Sequence, residues 1–153
     1  AYTVAGGLDI GSLSIGDIDA DGDLDAVSGD FGSASVHIWR NNGSGVFVSS
    51  TIPGITNVTT TALGDIDGDG DLDIVEGSPT SLVTLINTGL GTFSTPTSYA
   101  MGTQLLQIHL ADMNGDGVVD AVFADDATVQ VRLNNGTGTM WTASMGSPYA
   151  VGT

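Results

Sequence analysis

The feature that most limits what this chain can fold into is a short acidic pattern written three times. GDIDADGDLDAV starts at Gly16, GDIDGDGDLDIV at Gly64 and ADMNGDGVVDAV at Ala111. Their first aspartates, Asp17, Asp65 and Asp112, are spaced by 48 and 47 residues. A second landmark follows each one: NNGSGVF from Asn41, NTGLGTF from Asn87 and NNGTGTM from Asn134, with spacings of 46 and 47. Two landmarks that stay in register over three copies define a repeat. A repeated unit of this length is one supersecondary element that buries its apolar surface only against its neighbours.

Each copy reads as four short strands. In the first, residues 12–16 lead into the acidic loop, 24–28 leave it, 35–39 form a third strand and about 46–52 a fourth. The Asn-Gly turn between the last two is a strong hairpin signal. The third strands of the other copies fall at 81–86 and 127–133. In the last of these, Val129, Val131 and Leu133 share one face, and Gln130 and Arg132 the other. Four strands in a period of about 40–50 residues mark a β-propeller blade. The fold expected is therefore all-β: propeller blades of four antiparallel strands, three blades per chain. The chain divides into repeats of about 2–50, 51–98 and 99–148, with a short overlap at 149–153. Tyr2-Thr-Val, Tyr99-Ala-Met and Tyr149-Ala-Val take equivalent places at the end of a fourth strand. The 23 glycines suit such a chain of tight turns, because glycine adopts the positive φ that these turns need.

The formal net charge of −16 follows from the same loops. Five acids lie in 17–25, five in 65–73 and three in 112–120, so 13 of the 18 acidic residues sit in three short segments. Charge this concentrated repels itself unless cations neutralise it. The spacing D-x-[DN]-x-D-G-x-x-D turns alternate oxygens toward one centre, as calcium requires with its six to eight oxygen ligands. The side-chain candidates are Asp17, Asp19, Asp21 and Asp25, then Asp65, Asp67, Asp69 and Asp73, then Asp112, Asn114, Asp116 and Asp120. The seventh residue of each loop (Asp23, Asp71 or Val118) would add a backbone carbonyl. That gives about three Ca²⁺ per chain. Magnesium prefers a rigid octahedron and its own waters. Zinc would want His or Cys, which the loops lack. An EF-hand would need a glutamate at position twelve between two helices. Only the second copy has one, Glu76, where the others have Ser28 and Phe123, and the flanks are strand-like. The third loop has one carboxylate fewer, so it is expected to bind calcium more weakly.

These loops and the following N-x-G-x-G-x-F segments resemble the FG-GAP/VCBS repeats of integrin α-subunit propellers and of many secreted proteins. The resemblance covers essentially the whole chain. It departs in the third copy, where Asn114 replaces an acid and Met140 replaces the aromatic seen as Phe47 and Phe93. It implies calcium in the loop between the first two strands of each blade, and an extracellular or cell-surface location. Propellers have four to eight blades, so three leave two open faces. A homodimer would complete a six-bladed ring, with Tyr2–Val4 pairing beside the partner's last blade. Assembly with another chain, or a place within a longer propeller, is the alternative.

The function expected is non-enzymatic: a calcium-stabilised binding module for recognition or adhesion, with a glycan or a protein as ligand. The alternative is a scaffold within a larger secreted protein or enzyme. No catalytic constellation stands out, since the aspartates are committed to loops. His109 reads as a packed or hydrogen-bonded strand residue rather than a catalyst. His37, Trp39 and Arg40 are the candidate ligand-binding residues, because an aromatic ring with polar neighbours stacks on sugars. The competing role for Trp39 is to fill space between blades, an ambiguity that Trp141 and Tyr99 share. Asn42, Asn57 and Asn135 open N-glycosylation patterns. With only 2 Lys and Arg residues, the chain has no basic patch for nucleic acid. It has no cysteine, no legible signal peptide and no apolar run of about 18 residues for membrane insertion.

Overall fold

Thirteen strands and no helix make up the computed structural model over the described residues, which are 9–101, 105–125 and 127–150. They form three antiparallel sheets in sequence order. Blade 1 contains β1 (Ile10–Gly16), β2 (Asp25–Asp30), β3 (Ser35–Asn41) and β4 (Phe47–Pro53). Blade 2 contains β5 (Thr60–Gly64), β6 (Asp73–Gly77), β7 (Ser81–Leu85) and β8 (Thr97–Ala100). Blade 3 contains β9 (Gln107–Ala111), β10 (Asp120–Ala124), β11 (Thr128–Asn134), β12 (Trp141–Ala143) and β13 (Tyr149–Ala150). Its outer strand is split, with β12 and β13 both pairing with β11. Tyr149 meets Val129 there as Tyr99 meets Leu82 in blade 2.

The repeat limits at 50/51 and 98/99 fall inside β4 and β8. Loop and turn landmarks fix the phase of the repeat but carry no signal for where the outer strand ends. Tyr2–Val4 and the end of the 149–153 overlap lie outside the described residues.

Each blade packs face to face on the next, and two apolar layers result. Val27, Val36 and Ile38 of blade 1 meet Ile74, Val83 and Leu85 of blade 2. Ala62, Val75 and Leu82 of blade 2 meet Ile108, Ala121 and Phe123 of blade 3. At about 25 cal/mol per Å² of apolar surface buried, these layers are the main favourable contribution to stability. The innermost strands β1, β5 and β9 lie side by side and line a cleft of about 460 Å³. His109 is exposed in that cleft and is not packed, which departs from the expectation for it. In β11 both faces hold buried residues: Gln130 is buried on one, and Val131 is buried on the other, where it lines a hollow with Val129 and Leu133.

One acid lies inside the first layer. Glu76 has no exposure, accepts a hydrogen bond from Thr61 Oγ1 (2.9 Å) and has Oε1 unpartnered. Ser12 Oγ in turn donates to Thr61 Oγ1 (2.8 Å), so a polar thread crosses from blade 1 to blade 2. Burial holds the Glu76 carboxyl well above the usual range. The folded chain therefore keeps a proton that the unfolded chain releases. Stability from this group is full below the ordinary glutamate pKa and is lost as pH rises through the folded value. Glu76→Gln removes the titration and keeps the shape. Denaturant titrations are expected to show the variant and the parent matched near pH 4. The variant should be the more stable of the two at pH 8, where the parent's buried carboxyl is under pressure to ionise. Equal stability at both pH values would contradict a buried protonated acid.

Candidate metal loops and the cleft beside them

Each acidic loop is the connection of a β-hairpin. Residues 17–24 join β1 to β2, 65–72 join β5 to β6, and 112–119 join β9 to β10. The loop curls around its own first aspartate. Asp65 Oδ1 accepts from the backbone N–H groups of Gly68 (2.7 Å) and Asp69 (3.1 Å), and Oδ2 from that of Gly70 (3.0 Å). Asp17 accepts from Gly22 (3.0 Å), and Asp112 from Gly115 (2.7 Å) and Gly117 (2.9 Å). The sixth-position glycines Gly22, Gly70 and Gly117 have φ of 93°, 96° and 85°, where other residues are strained. The N–H of the seventh residue donates to the fifth side chain in all three loops: Asp23 to Asp21, Asp71 to Asp69 and Val118 to Asp116.

This curl crowds oxygens together. Asp17, Asp19 and Asp21 each offer a carboxylate oxygen within 4.8 Å of the others, and Asp65, Asp67 and Asp73 do the same. Asp17 Oδ1 and Asp19 Oδ1 are buried with no hydrogen-bond partner. Burial, followed by the charges of Asp25 and Asp21, pushes the Asp19 carboxyl up. Burial and the neighbouring Asp69 do the same to Asp67, and burial takes Asp73 up to about 6. Crowded, orphaned, acid-only oxygens suit a hard cation, so the first two loops fit calcium. In the third loop Asn114 Nδ2 donates to Asp116 Oδ2 (2.8 Å). A neutral amide there does part of what a cation would do, and no comparable trio of acids forms among the described residues.

The ninth-position aspartates have a second task that the loop motif does not reveal. Asp73 is fully buried. Its Oδ2 accepts from the N–H of Ile66 (2.9 Å) and its Oδ1 from the N–H of Asn87 (2.7 Å). Asp25 spans Ile18 and Asn41 in the same way, and Asp120 spans Met113 and Asn134. Each carboxylate therefore clips its acidic loop to the Asn-x-Gly turn of its own blade. The turn asparagine extends the clip. Asn87 Nδ2 donates to Leu72 O (3.2 Å) in its own blade and to Ile18 O (2.8 Å) in the preceding one. Asn134 repeats this with Val119 O (3.0 Å) and Ile66 O (2.6 Å). The available sequence signal was the near-constant offset between aspartate and asparagine, which is 16, 14 and 14 residues.

Of the three candidate ligand-binding residues, the structure brings two together and separates the third. His37 and Trp39 stack on the outer face of blade 1, with ring centroids 6.3 Å apart. His37 Nε2 lies 3.7 Å from Asp30 Oδ2, and Trp39 Nε1 donates to Ser28 Oγ (3.1 Å). The Trp39 ring lines a hollow of about 200 Å³ with Ile10, Leu13, Ala26 and Phe47, all apolar neighbours. Arg40 points the other way, into the joint with blade 2. There it donates to Gly91 O (2.5 Å) and lies 3.5 Å from Asp19 Oδ2.

A different hollow combines polar and apolar walls. A cleft of about 220 Å³ opens where the second metal loop meets the third. Asp65, Asp67 and Gly68 form one wall; Gly117, Val118 and Val119 form the other. Carboxylates that accept hydroxyl hydrogen bonds face valine side chains across a gap of small-molecule scale.

Comparison with known proteins agrees with the architecture. Two overlapping stretches, residues 17–76 and 65–123, match the model of the FG-GAP-like repeat. Among solved structures the chain is similar to an Agrocybe aegerita lectin, described by its specific recognition of non-reducing terminal N-acetylglucosamine. The two are 28% identical with a TM-score of 0.62, over 85% of this chain and 36% of that one. The chain is also similar to part of the Photorhabdus luminescens Tc holotoxin pore. That match has 24% identity and a TM-score of 0.52, over 86% of this chain and 7% of that one, and it shows the fold alone. No curated protein matches the chain.

Proposed function

The chain belongs to the FG-GAP-like repeat family, and on that premise we propose that it is a calcium-stabilised, glycan-recognising module that works outside the cell as an arc of a propeller ring. The observation that carries this reading is the cleft between the second and third metal loops, in a fold shared with an N-acetylglucosamine-recognising lectin. Carboxylates of Asp65 and Asp67 would accept sugar hydroxyls, and Val118 and Val119 would face the apolar side of the ring. The metal would be held by the loop oxygens: Asp17, Asp19, Asp21 and Asp25, then Asp65, Asp67, Asp69 and Asp73, then more weakly Asp112, Asn114, Asp116 and Asp120. Bound calcium supplies positive charge that fixes the loop carboxylates in place. Recognition rather than turnover is the reading proposed.

A glycan array probed with and without Ca²⁺ is the direct experiment, with terminal N-acetylglucosamine expected among the bound sugars. Val118→Trp fills the cleft and leaves the backbone carbonyl of the seventh loop position in place. It is expected to weaken binding by about tenfold or more, the effect of losing ~1.4 kcal/mol, with an unchanged circular dichroism spectrum. Silence on the array in both conditions would refute the lectin reading. Full binding by the variant would move the site elsewhere. A second reading, that these blades scaffold chemistry in a larger protein, draws on one fact: the chain spans only 36% and 7% of the two solved structures named above. Hydrolase activity of the assembled protein would favour it.

A further inference from the structure

We infer that the open face of blade 3 is a joint for blade 1 of a second copy of this chain, so that two copies close a six-bladed ring. This rests on the reading of the chain as an arc of a ring and names what completes it. The argument comes from the two joints already present, which serve as templates for a third.

The templates share a hydrogen bond and a buried side chain. In both, the turn asparagine of one blade donates to a carbonyl in the metal loop of the blade before it: Asn87 to Ile18 and Asn134 to Ile66. In both, the loop residue that is crossed is sealed, with Ile18 and Ile66 each 1% exposed. The third copies of these two features are left over at opposite ends of the arc. Met113, the counterpart of Ile18 and Ile66, is 51% exposed. Asn41, the counterpart of Asn87 and Asn134, donates within its own blade to Leu24 O (3.2 Å), and among the described residues no blade stands beside it. Placing blade 1 of one copy against blade 3 of another lets the Asn41 amide reach the Met113 carbonyl and seals both ends with one contact.

The faces around these atoms are apolar. On blade 1, Leu13 is 58% and Ile15 62% exposed, beside the hollow that Trp39 and Phe47 line. On blade 3, Val122, Val129, Val131 and Leu133 line a hollow of about 310 Å³. The exposed apolar patch on blade 1 is of the kind that marks an interaction surface, and its hollow is walled by apolar side chains alone, which suits a neighbouring blade better than a sugar. The hollow on blade 3 also includes Asn114, Ser144 and Tyr149. A head-to-tail contact closes when its rotation returns to the start, and twice three blades lies within the range of known propellers.

One residue distinguishes the new joint. Gly16 and Gly64 leave room for leucine methyl groups of the next blade; a Cβ at Gly16 would lie 2.6 Å from Leu72 Cδ1, and at Gly64 2.8 Å from Leu110 Cδ1. The third counterpart is Ala111. Its methyl would meet Ile15 or Leu24 of the partner copy, both 62% exposed and free to change rotamer. The joint between copies should therefore be looser than the joints within one.

The test uses native mass measurement in calcium buffer at low micromolar concentration, where a dimer is expected. Leu13→Asp with Ile15→Asp should give monomers with unaltered circular dichroism, whereas Leu90→Asp, exposed in a turn of blade 2, should leave the dimer intact. Ala111→Gly should tighten the dimer several-fold. Because the chain has no cysteine, an Ile15→Cys, Ala111→Cys variant treated with a short bis-maleimide reports this contact alone, and covalent dimers are expected. A monomer, an open-ended series of oligomers, or a dimer that neither cross-links nor responds to the aspartates would overturn the inference. Glycan binding by a monomer would leave the function above standing without it.

Discussion

Chelation of calcium will lower the melting temperature by on the order of 20 °C, the largest single effect expected for this protein. An ion bound only by the folded state stabilises it by mass action, about 4 kcal/mol per site at a thousandfold excess over the dissociation constant. For a chain of this size each kcal/mol moves the midpoint by roughly 2–4 °C. The first two loops carry the oxygen crowding that makes such an ion effective. Asp17 Oδ1 and Asp19 Oδ1 are buried without partners, and the Asp65, Asp67 and Asp73 oxygens converge. Removing the cation leaves these carboxylates to repel one another in poorly hydrated positions. The third loop contributes least, since Asn114 already donates to Asp116. A calorimetric scan in excess chelator measures the total, and a site-resolved calcium titration measures the order. An unchanged midpoint would remove the metal from the account, and a third loop that fills first would reverse the ranking.

Asp73→Ala should be the most damaging single substitution, costing about 3–5 kcal/mol, the range for removing one partner of a buried charged network. The carboxylate is fully buried and satisfies two backbone N–H groups, those of Ile66 and Asn87, which would be left unpaired in the joint between blades. Its distinctive signature is persistence. The loss should remain when calcium is removed, because the clip is a hydrogen-bond device as well as part of the acidic cluster. Asp67→Ala offers the contrast. Asp67 lies at the half-exposed rim of the loop, and its substitution should destabilise with calcium present and become neutral or stabilising in chelator, where it relieves repulsion within the cluster. Denaturant titrations of both variants in both buffers separate the roles. If the Asp73 effect vanished with the metal, the clip would carry no weight of its own.

Much of this architecture was legible before any coordinates. The acidic loops and Asn-Gly turns carry local chemistry that only one arrangement satisfies, so the repeat, the hairpins and the metal candidates could be read directly from the chain. What the sequence hid were relations across the fold. Nothing local says that Asp73 turns both oxygens to backbone N–H groups, since its place in a calcium motif already explains an acid there. Strand alternation set Gln130 on the face opposite Val129 and Val131 but could not say which face is covered, because a mid-blade strand has a neighbour on one side and an open face on the other, and polarity does not report which is which. Arg40 sits next to Trp39 in sequence, yet successive strand residues point to opposite faces, and this sends it into the joint with blade 2. His109 lies in a strand, but an inner strand borders the axial cleft, so membership of a sheet did not guarantee burial.

The asparagine that reaches back into the preceding loop makes every unit in the arc dependent on an adjoining one. Such an array behaves as a one-dimensional lattice, in which order spreads by propagation and erodes from the boundaries. Among the described residues blade 2 alone has both flanks covered, so its amide protons should be the last to exchange, with the outermost sheets fraying first unless another flank caps them. Robustness in a molecule of this kind grows with the number of joints made, not with the quality of any one sheet.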